Sequence, residues 1–100
     1  MILTTTNSVE GFKILEYKGI VSGTAVNSPK MSLTFNVQKY YDGISESVLE
    51  IKEKAIEVLK INAEKLNANA IVGIKIDVEV TASNYVVVHA TGTAVGIIKK

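Results

Sequence analysis

The alternation of apolar and polar residues predicts a long first strand from Phe12 to Val26. Gly19 and Gly23 fall within this stretch, at positions where a strand bulges or where another element packs closely on the strand backbone. The short run Ile2-Leu3-Thr4-Thr5 ahead of it is a candidate extra strand.

Two further strands are predicted near the C-terminal end, and together they form a hairpin. Ile71 to Val80 alternates most regularly, and Tyr85 to Val95 returns after a turn at Thr81-Ala82-Ser83-Asn84. One face of the first of these strands is predicted to hold Val72, Ile74, Ile76, Val78 and Val80, and the other Gly73, Lys75, Asp77 and Glu79. This pattern is typical of a strand with one buried face.

The spacing of apolar residues from Ser45 to Leu66 predicts one long helix. Ser47 and Glu50 have the spacing of a capping box, and a start near Asp42 is the alternative. Its apolar stripe is predicted to hold Ile44, Val48, Ile51, Ala55, Val58, Leu59 and Leu66, widened on one flank by Leu49, Ile56 and Ala63. Asn67-Ala68-Asn69 is predicted to end the helix, because Asn tolerates the left-handed conformation found there.

The segment from residue 27 to residue 43 allows two interpretations. Ser28-Pro29 has the composition of a helix start, which favours a short helix or an irregular segment. Leu33, Phe35 and Val37 alternate as in a strand, which is the alternative.

The element order predicts an α+β fold of the β-α-β-β type, as a single domain over residues 1–100. A right-handed crossover places the last strand between the other two long strands, in an antiparallel sheet. One helix then covers one face of a two-layer structure. The opposite face, which mixes apolar side chains with charges and hydroxyl groups, is expected to have no cover from its own chain.

Three features predict a homo-oligomer. The domain is small, the apolar arc of the helix is roughly half of its circumference, and the sheet has an open face and unpaired edges. A closed cyclic assembly would pair these edges between neighbours and turn the open faces inward. The alternative is a monomer whose Leu49, Ile56 and Ala63 flank packs under the segment of residues 27–43.

The composition excludes several kinds of site. The chain has 100 residues with no Cys and a single His, so it cannot form a disulfide, a thiolate metal site or a catalytic thiol. The net charge is +1 and every basic residue is Lys, which argues against nucleic acid as a partner. No apolar run reaches the roughly 20 residues of a membrane helix, and the N-terminus lacks the pattern of a signal peptide, so we expect a cytoplasmic protein without a membrane partner.

A series of short motifs resembles the YbjQ-like family of small bacterial and archaeal proteins. The motifs are Thr5-Thr6, Glu10-Gly11, Glu16-Tyr17-x-Gly19-x-Val21-x-Gly23, Ala68-Asn69-Ala70-Ile71-Val72-Gly73-Ile74, Asp77-x-Glu79 and Gly92-Thr93-Ala94-Val95. The resemblance implies a dodecin-like fold and a ring, commonly a pentamer, of a family often labelled heavy-metal-binding. Asp42-Gly43-Ile44-Ser45 stands where the family usually has a stretch with an Arg, and this chain lacks that Arg.

The candidate site residues are Glu16, Asp77, Glu79 and His89. Asp77 and Glu79 share one strand face, and the parity of Glu16 and His89 assigns them to the same face. Repeated around a ring, these groups could hold a divalent metal ion as cofactor. The ordinary alternative is a solvated strand face on which Lys18 and Lys75 pair with the acids.

No catalytic residue is assigned, because no Ser or Thr can be placed beside His89 from spacing alone. The favoured hypothesis is a non-enzymatic oligomer that binds a small ligand or an ion in its pore or between subunits. The alternatives are an adaptor that recruits a partner through its helical surface and a small hydrolase-like enzyme that uses His89 as a general base.

Overall fold

A computed structural model describes residues 1–27, 37–82 and 85–100. For Asn27 and residues 37–47 it describes the backbone only. The elements are β1 (Ile2–Leu3), β2 (Phe12–Asn27), α1 (Val37–Lys65), β3 (Ala70–Val80) and β4 (Val86–Lys99). Of the ambiguous segment 27–43, Asn27 ends β2 and residues 37–43 belong to α1, so Val37 is helical and not part of the alternative strand. Residues 28–36 lie outside the described residues, as do Ser83 and Asn84 of the predicted turn.

The four strands form one sheet in the order β1-β3-β4-β2. The last strand thus lies between the other two long strands, the position that the sequence predicts for it, and pairs antiparallel with both. The sheet is nevertheless mixed and not purely antiparallel, because β1 pairs in parallel with β3. The residues after β1 continue along this edge, where Gly73 donates to the Thr6 carbonyl at 2.8 Å and Ile74 to the Thr4 carbonyl at 3.1 Å.

Helix α1 begins at Val37, earlier than either predicted start, so Asp42 and Ser47 lie inside it and the capping-box prediction is wrong. Its C-terminal end agrees with the prediction, since Asn67 adopts a left-handed φ of 62°. The Ala68 amide then donates to the Ala63 carbonyl at 3.2 Å. The Leu66 amide donates to the same carbonyl at 3.0 Å, so both bonds close the last turn of the helix.

The helix packs chiefly on β2 and β4 and barely touches β3. Among its described side chains, four are buried in the main core: Ile51, Ala55, Leu59 and Ala63. Ala63 therefore belongs to the centre of the stripe and not to its flank, whereas Val58 and Leu66 are 39% and 40% exposed. The helix axis is displaced toward the edge strand β2, and its flanks are not equally covered.

Bulges in β2 and β3 determine which side chains share a face. The register shifts between Ile14 and Glu16, between Tyr17 and Gly19, and between Val72 and Lys75. Each bulge adds one residue to its strand while the facing strand β4 continues, so the side-chain alternation reverses there. Val72 therefore does not share a face with Ile76, contrary to the prediction.

A second, smaller core lies on the sheet side away from the helix. It contains Ala70, Val72, Val95 and Ile97, with Ile2, Val9, Phe12 and Ile14 packed against it. The N-terminal segment therefore covers one end of the face that the sequence analysis expected to be entirely without cover. The other end of that face remains open in the part of the chain that the structure describes.

Asn69 acts as a substitute strand partner for the end of β4. Its side-chain amide donates to the Ile97 carbonyl at 2.8 Å, and its side-chain carbonyl accepts from the Ile97 amide at 2.7 Å. Both bonds are partly buried, so their loss would leave two backbone groups short of a partner.

We expect the substitution Asn69→Ala to lower the free energy of unfolding by about 2 kcal/mol, roughly 1 kcal/mol for each hydrogen bond. Urea denaturation at one fixed protein concentration measures this change. Asn7→Ala is the matched control, because Asn7 is exposed and should change stability by less than about 0.5 kcal/mol. Equal losses in the two variants would contradict the assignment.

Candidate functional site

The sheet side away from the helix carries a surface that we call the open face. It is formed at the hairpin end of three strands, where directly paired residues point to the same side. Its members are Ile20, Ser22, Thr24 and Val26 of β2, Val87, His89 and Thr91 of β4, and Lys75, Asp77 and Glu79 of β3. Since α1 packs on the other side of the sheet, the open face has no helix above it in the described chain.

A row of three polar residues crosses the open face. Thr24 pairs with His89 across β2 and β4, and His89 pairs with Asp77 across β4 and β3. The Thr24 hydroxyl Oγ1 and the His89 Nδ1 share a hydrogen bond of 3.2 Å. Glu79 follows two residues after Asp77 and points to the same side. The structure thus brings three of the four predicted site residues together: Asp77, Glu79 and His89.

Glu16 does not join them. It pairs with Gly96 on the helix side of the sheet. A Cβ atom built on Gly96 would lie nearest to Lys18 and Glu16. The bulge between Tyr17 and Gly19 reverses the alternation, so the parity that links Glu16 to Thr24 in the sequence does not hold in space. Glu16 instead forms a 2.8 Å ion pair with Lys18, which agrees with the ordinary alternative for this residue.

Apolar side chains flank the polar row. Ile20 is 86% exposed and Val26 is 57% exposed. Tyr17, which lies beyond the bulge and pairs with the buried Val95 of the second core, is 71% exposed. Large exposed apolar groups that lie close together are typical of interaction surfaces.

The described side chains of one subunit do not form a metal site that suits a heavy-metal ion. Among the described residues, no group of three or more His, Cys, Asp and Glu side chains is placed to hold an ion. The chain has no thiolate, which is the ligand that soft metals prefer. Asp77 and His89 could supply at most part of a ligand set, and completing it would require a second copy.

The row Thr24–His89–Asp77 has the residue types of a hydrolase triad but not its geometry. Within the described residues, no hydrogen bond or ion pair joins Asp77 to His89, so no carboxylate orients the imidazole as in a triad, and its described hydrogen bond is the one with Thr24. The row also lies on an open sheet surface and not in a cleft. The described side chains of this row therefore do not form a hydrolase triad.

A groove on the helix side, of about 190 Å³, was not predicted from the sequence. It lies between α1 and the β1–β3 edge and is lined by Leu3, Thr4, Thr5, Ile56, Ile74 and Ile76. The signal that could have indicated it is the apolar flank of Leu49 and Ile56, which extends beyond what one sheet contact requires. Whether residues 28–36 cover this flank, as in the monomer alternative, lies outside the described chain.

Comparison with known proteins identifies the family. A family model described as "Putative heavy-metal-binding" and named YbjQ matches residues 1–98. The chain belongs to the YbjQ family. A UPF0145 protein of Clostridium kluyveri is 41% identical over 95% of this chain and 97% of its own length. A UPF0145 protein of Acetivibrio thermocellus is 40% identical over 97% and 99% of the two chains.

The YbjQ fold is also found in a solved structure. A crystal structure of a protein of unknown function from Pediococcus pentosaceus superposes with a TM-score of 0.72 and 27% identity, and covers 98% of both chains. The family description names heavy metals, but the described side chains of this YbjQ protein do not provide such a site within one subunit. No helix in the described part of the chain has the length and apolar character needed to cross a membrane.

Proposed function

We propose that this YbjQ protein is a non-enzymatic, dodecin-like homo-oligomer, a ring of five copies, whose open faces enclose a space that binds a small ligand. The observation that carries the proposal is the open face itself. It combines a polar row with some of the most exposed apolar side chains of the described chain, Ile20 and Tyr17. A divalent ion held by Asp77 and His89 of several copies is the alternative occupant.

The two edges of the sheet support a head-to-tail assembly. Among the described strands, β2 is an edge strand along its whole length. β3 is covered by β1 and the following residues only as far as Ile74, so no described residue pairs with its outer edge from Lys75 to Val80. β2 and β3 run in the same direction, because both are antiparallel to β4. Copies placed side by side can therefore repeat with one orientation, as in a closed ring.

The substitution Ile20→Lys is expected to convert the assembly to monomers at micromolar concentration. In a closed ring the lysines of all copies would face one enclosed space, where desolvation and mutual repulsion oppose association. Size-exclusion chromatography with light scattering, together with native mass spectrometry, measures the change. Circular dichroism shows whether the variant remains folded.

Ile98→Lys is the matched control. Ile98 is also a strand isoleucine, 50% exposed, but its pairing with Lys13 places it on the helix side of the sheet. The control should keep the wild-type mass. A monomeric wild type, or an Ile20→Lys protein that retains the full mass, would show that the open faces do not meet.

Ligand binding is tested on the wild-type protein. Native mass spectrometry of freshly purified protein should show the oligomer with additional retained mass, and calorimetric titration with Zn²⁺, Ni²⁺ and Ca²⁺ tests the ionic alternative. An oligomer that has only its polypeptide mass and gives no heat with these ions would refute the proposed ligand and ion binding. The proposed assembly would still stand.

A further inference from the structure

Helix α1 lies over the edge strand of its own sheet. A Cβ atom built on Gly23 of the edge strand β2 would lie 2.2 Å from the Ala55 carbonyl oxygen and 2.5 Å from the Leu59 amide nitrogen. The helix backbone therefore lies directly above β2. An α-helix is about 10 Å wide, so about 5 Å of it projects beyond the strand on the outer side. This is about the spacing of one further strand in a sheet.

The outer flank of α1, above this projection, is partly apolar. Asn62 marks the side toward the edge strand, because its amide donates to the Ser22 carbonyl of β2 at 2.7 Å. Val58 and Ile61 lie farther around the helix on the same side and are 39% and 43% exposed. In the described chain no strand of the same subunit lies below this flank, since β2 is the last strand of the sheet.

The opposite margin of the subunit has the complementary shape. There α1 leaves β3 largely uncovered, and the groove opens between the Ile56 flank and the side chains of Ile74 and Ile76. The groove is almost entirely apolar and continues toward Val78, which is 46% exposed on the same side of β3.

We propose that the Val58–Ile61 flank of α1 in one copy seats in the α1–β3 groove of its neighbour. The inference rests on the proposed assembly and names the contact that holds it together. When β3 of one copy lies beside β2 of the next, the projecting helix of the second copy lies above the uncovered β3 of the first. The projection and the groove are on opposite margins of the subunit, so each copy uses both, as head-to-tail ring closure requires.

The charges along the two flanks are compatible with this contact. At 100° per residue, Lys54 and Lys65 lie on the flank toward β2, whereas Glu53 and Glu64 lie toward the β3 margin. The spacing along the helix from Lys54 to Lys65 equals that from Glu53 to Glu64. One alignment of neighbouring helices therefore brings each Lys level with a Glu. In that alignment Lys60 of the groove margin is level with Ile61 and does not face a lysine.

Disulfide cross-linking tests the contact directly, because the natural chain contains no cysteine. The double variant carries Val58→Cys and Thr5→Cys, and a second double variant carries Ile61→Cys and Thr5→Cys to allow for a shift of one helical turn. Val58 and Ile56 are about 200° apart on the helix, so Val58→Cys cannot reach the groove of its own subunit. A cross-link must therefore join two copies.

Under mild oxidation, at least one double variant should give a ladder of dimer, trimer and larger products on a non-reducing gel. The matched single variants should give no product larger than a dimer. A wild type that is oligomeric by native mass spectrometry, with no ladder from either double variant, would refute the helix contact and leave the proposed function. A monomeric wild type would refute the proposed function itself.

Discussion

The substitution Gly23→Ala is expected to lower the free energy of unfolding by at least about 3 kcal/mol, the upper range for overpacking a core. The added methyl group would lie 2.2 Å from the Ala55 carbonyl oxygen and 3.1 Å from the Leu59 Cα. These are backbone atoms of the helix, so no side-chain rotation can relieve the overlap. The whole helix would have to move away from β2, and the contacts of its buried side chains would loosen.

Thermal and urea denaturation of Gly23→Ala at a fixed protein concentration measure this loss. Gly96→Ala is the matched control, since a Cβ atom there meets nothing closer than the Lys18 Cε at 3.6 Å. The control is expected to stay within about 0.5 kcal/mol of the wild type. A Gly23→Ala protein as stable as this control would show that the helix does not lie on the strand backbone.

The substitution Leu59→Ala is expected to cost about 3 kcal/mol or more, within the range measured for buried leucines. Leu59 has no exposed surface and belongs to the main core with Val21, Ile71 and Val88. Removing its side chain leaves a cavity between the helix and the sheet, because the helix is already held against β2 at Gly23 and cannot collapse into the space.

The matched control for Leu59→Ala is Leu49→Ala, on the same helix with a side chain that is 64% exposed. The free energy of unfolding of Leu49→Ala should be less than about 1 kcal/mol below that of the wild type. Combining Leu59→Ala with Gly23→Ala adds a further test. The shorter side chain should not rescue Gly23→Ala, because the overlap involves the Leu59 backbone and not its side chain. Full rescue would contradict the close backbone approach.

Local patterns predicted the elements well. The alternation in β3 and the apolar spacing of α1 are properties of neighbouring residues. β3 forms where the sequence indicates it, and α1 ends there but begins earlier than predicted. Asn67 ends the helix in a left-handed conformation, as its residue type suggests. Gly19 and Gly23 have the two roles proposed for them, since Gly19 follows a bulge and Gly23 allows close packing of the helix.

The candidate site was predicted only in part, because face assignment depends on every residue between two positions. Asp77, Glu79 and His89 share the open face, since β3 and β4 pair regularly from Lys75 onward. Glu16 was placed on the wrong side by the single bulge that separates it from Thr24. A bulge is a property of two paired strands, and the residues of one strand do not show whether the partner continues in step.

Other features depended on residues far apart in the chain. The parallel pairing of β1 with β3 and the bonds from Asn69 to Ile97 join segments whose local sequences do not indicate each other. The helix start was wrong for a related reason. Ser47 and Glu50 have the residue types of a cap, but helix geometry continues through them from Val37.

The sequence by itself determined the elements of this protein, its lack of thiol chemistry and its surplus of apolar surface, because these follow from residue type and local spacing. Only the tertiary structure decided which side chains share a face and how closely α1 lies on β2. Both depend on the packing of paired strands and on the one glycine at which the helix meets the sheet. That packing separates the open face from the helix-side groove and places each where a second copy can reach it.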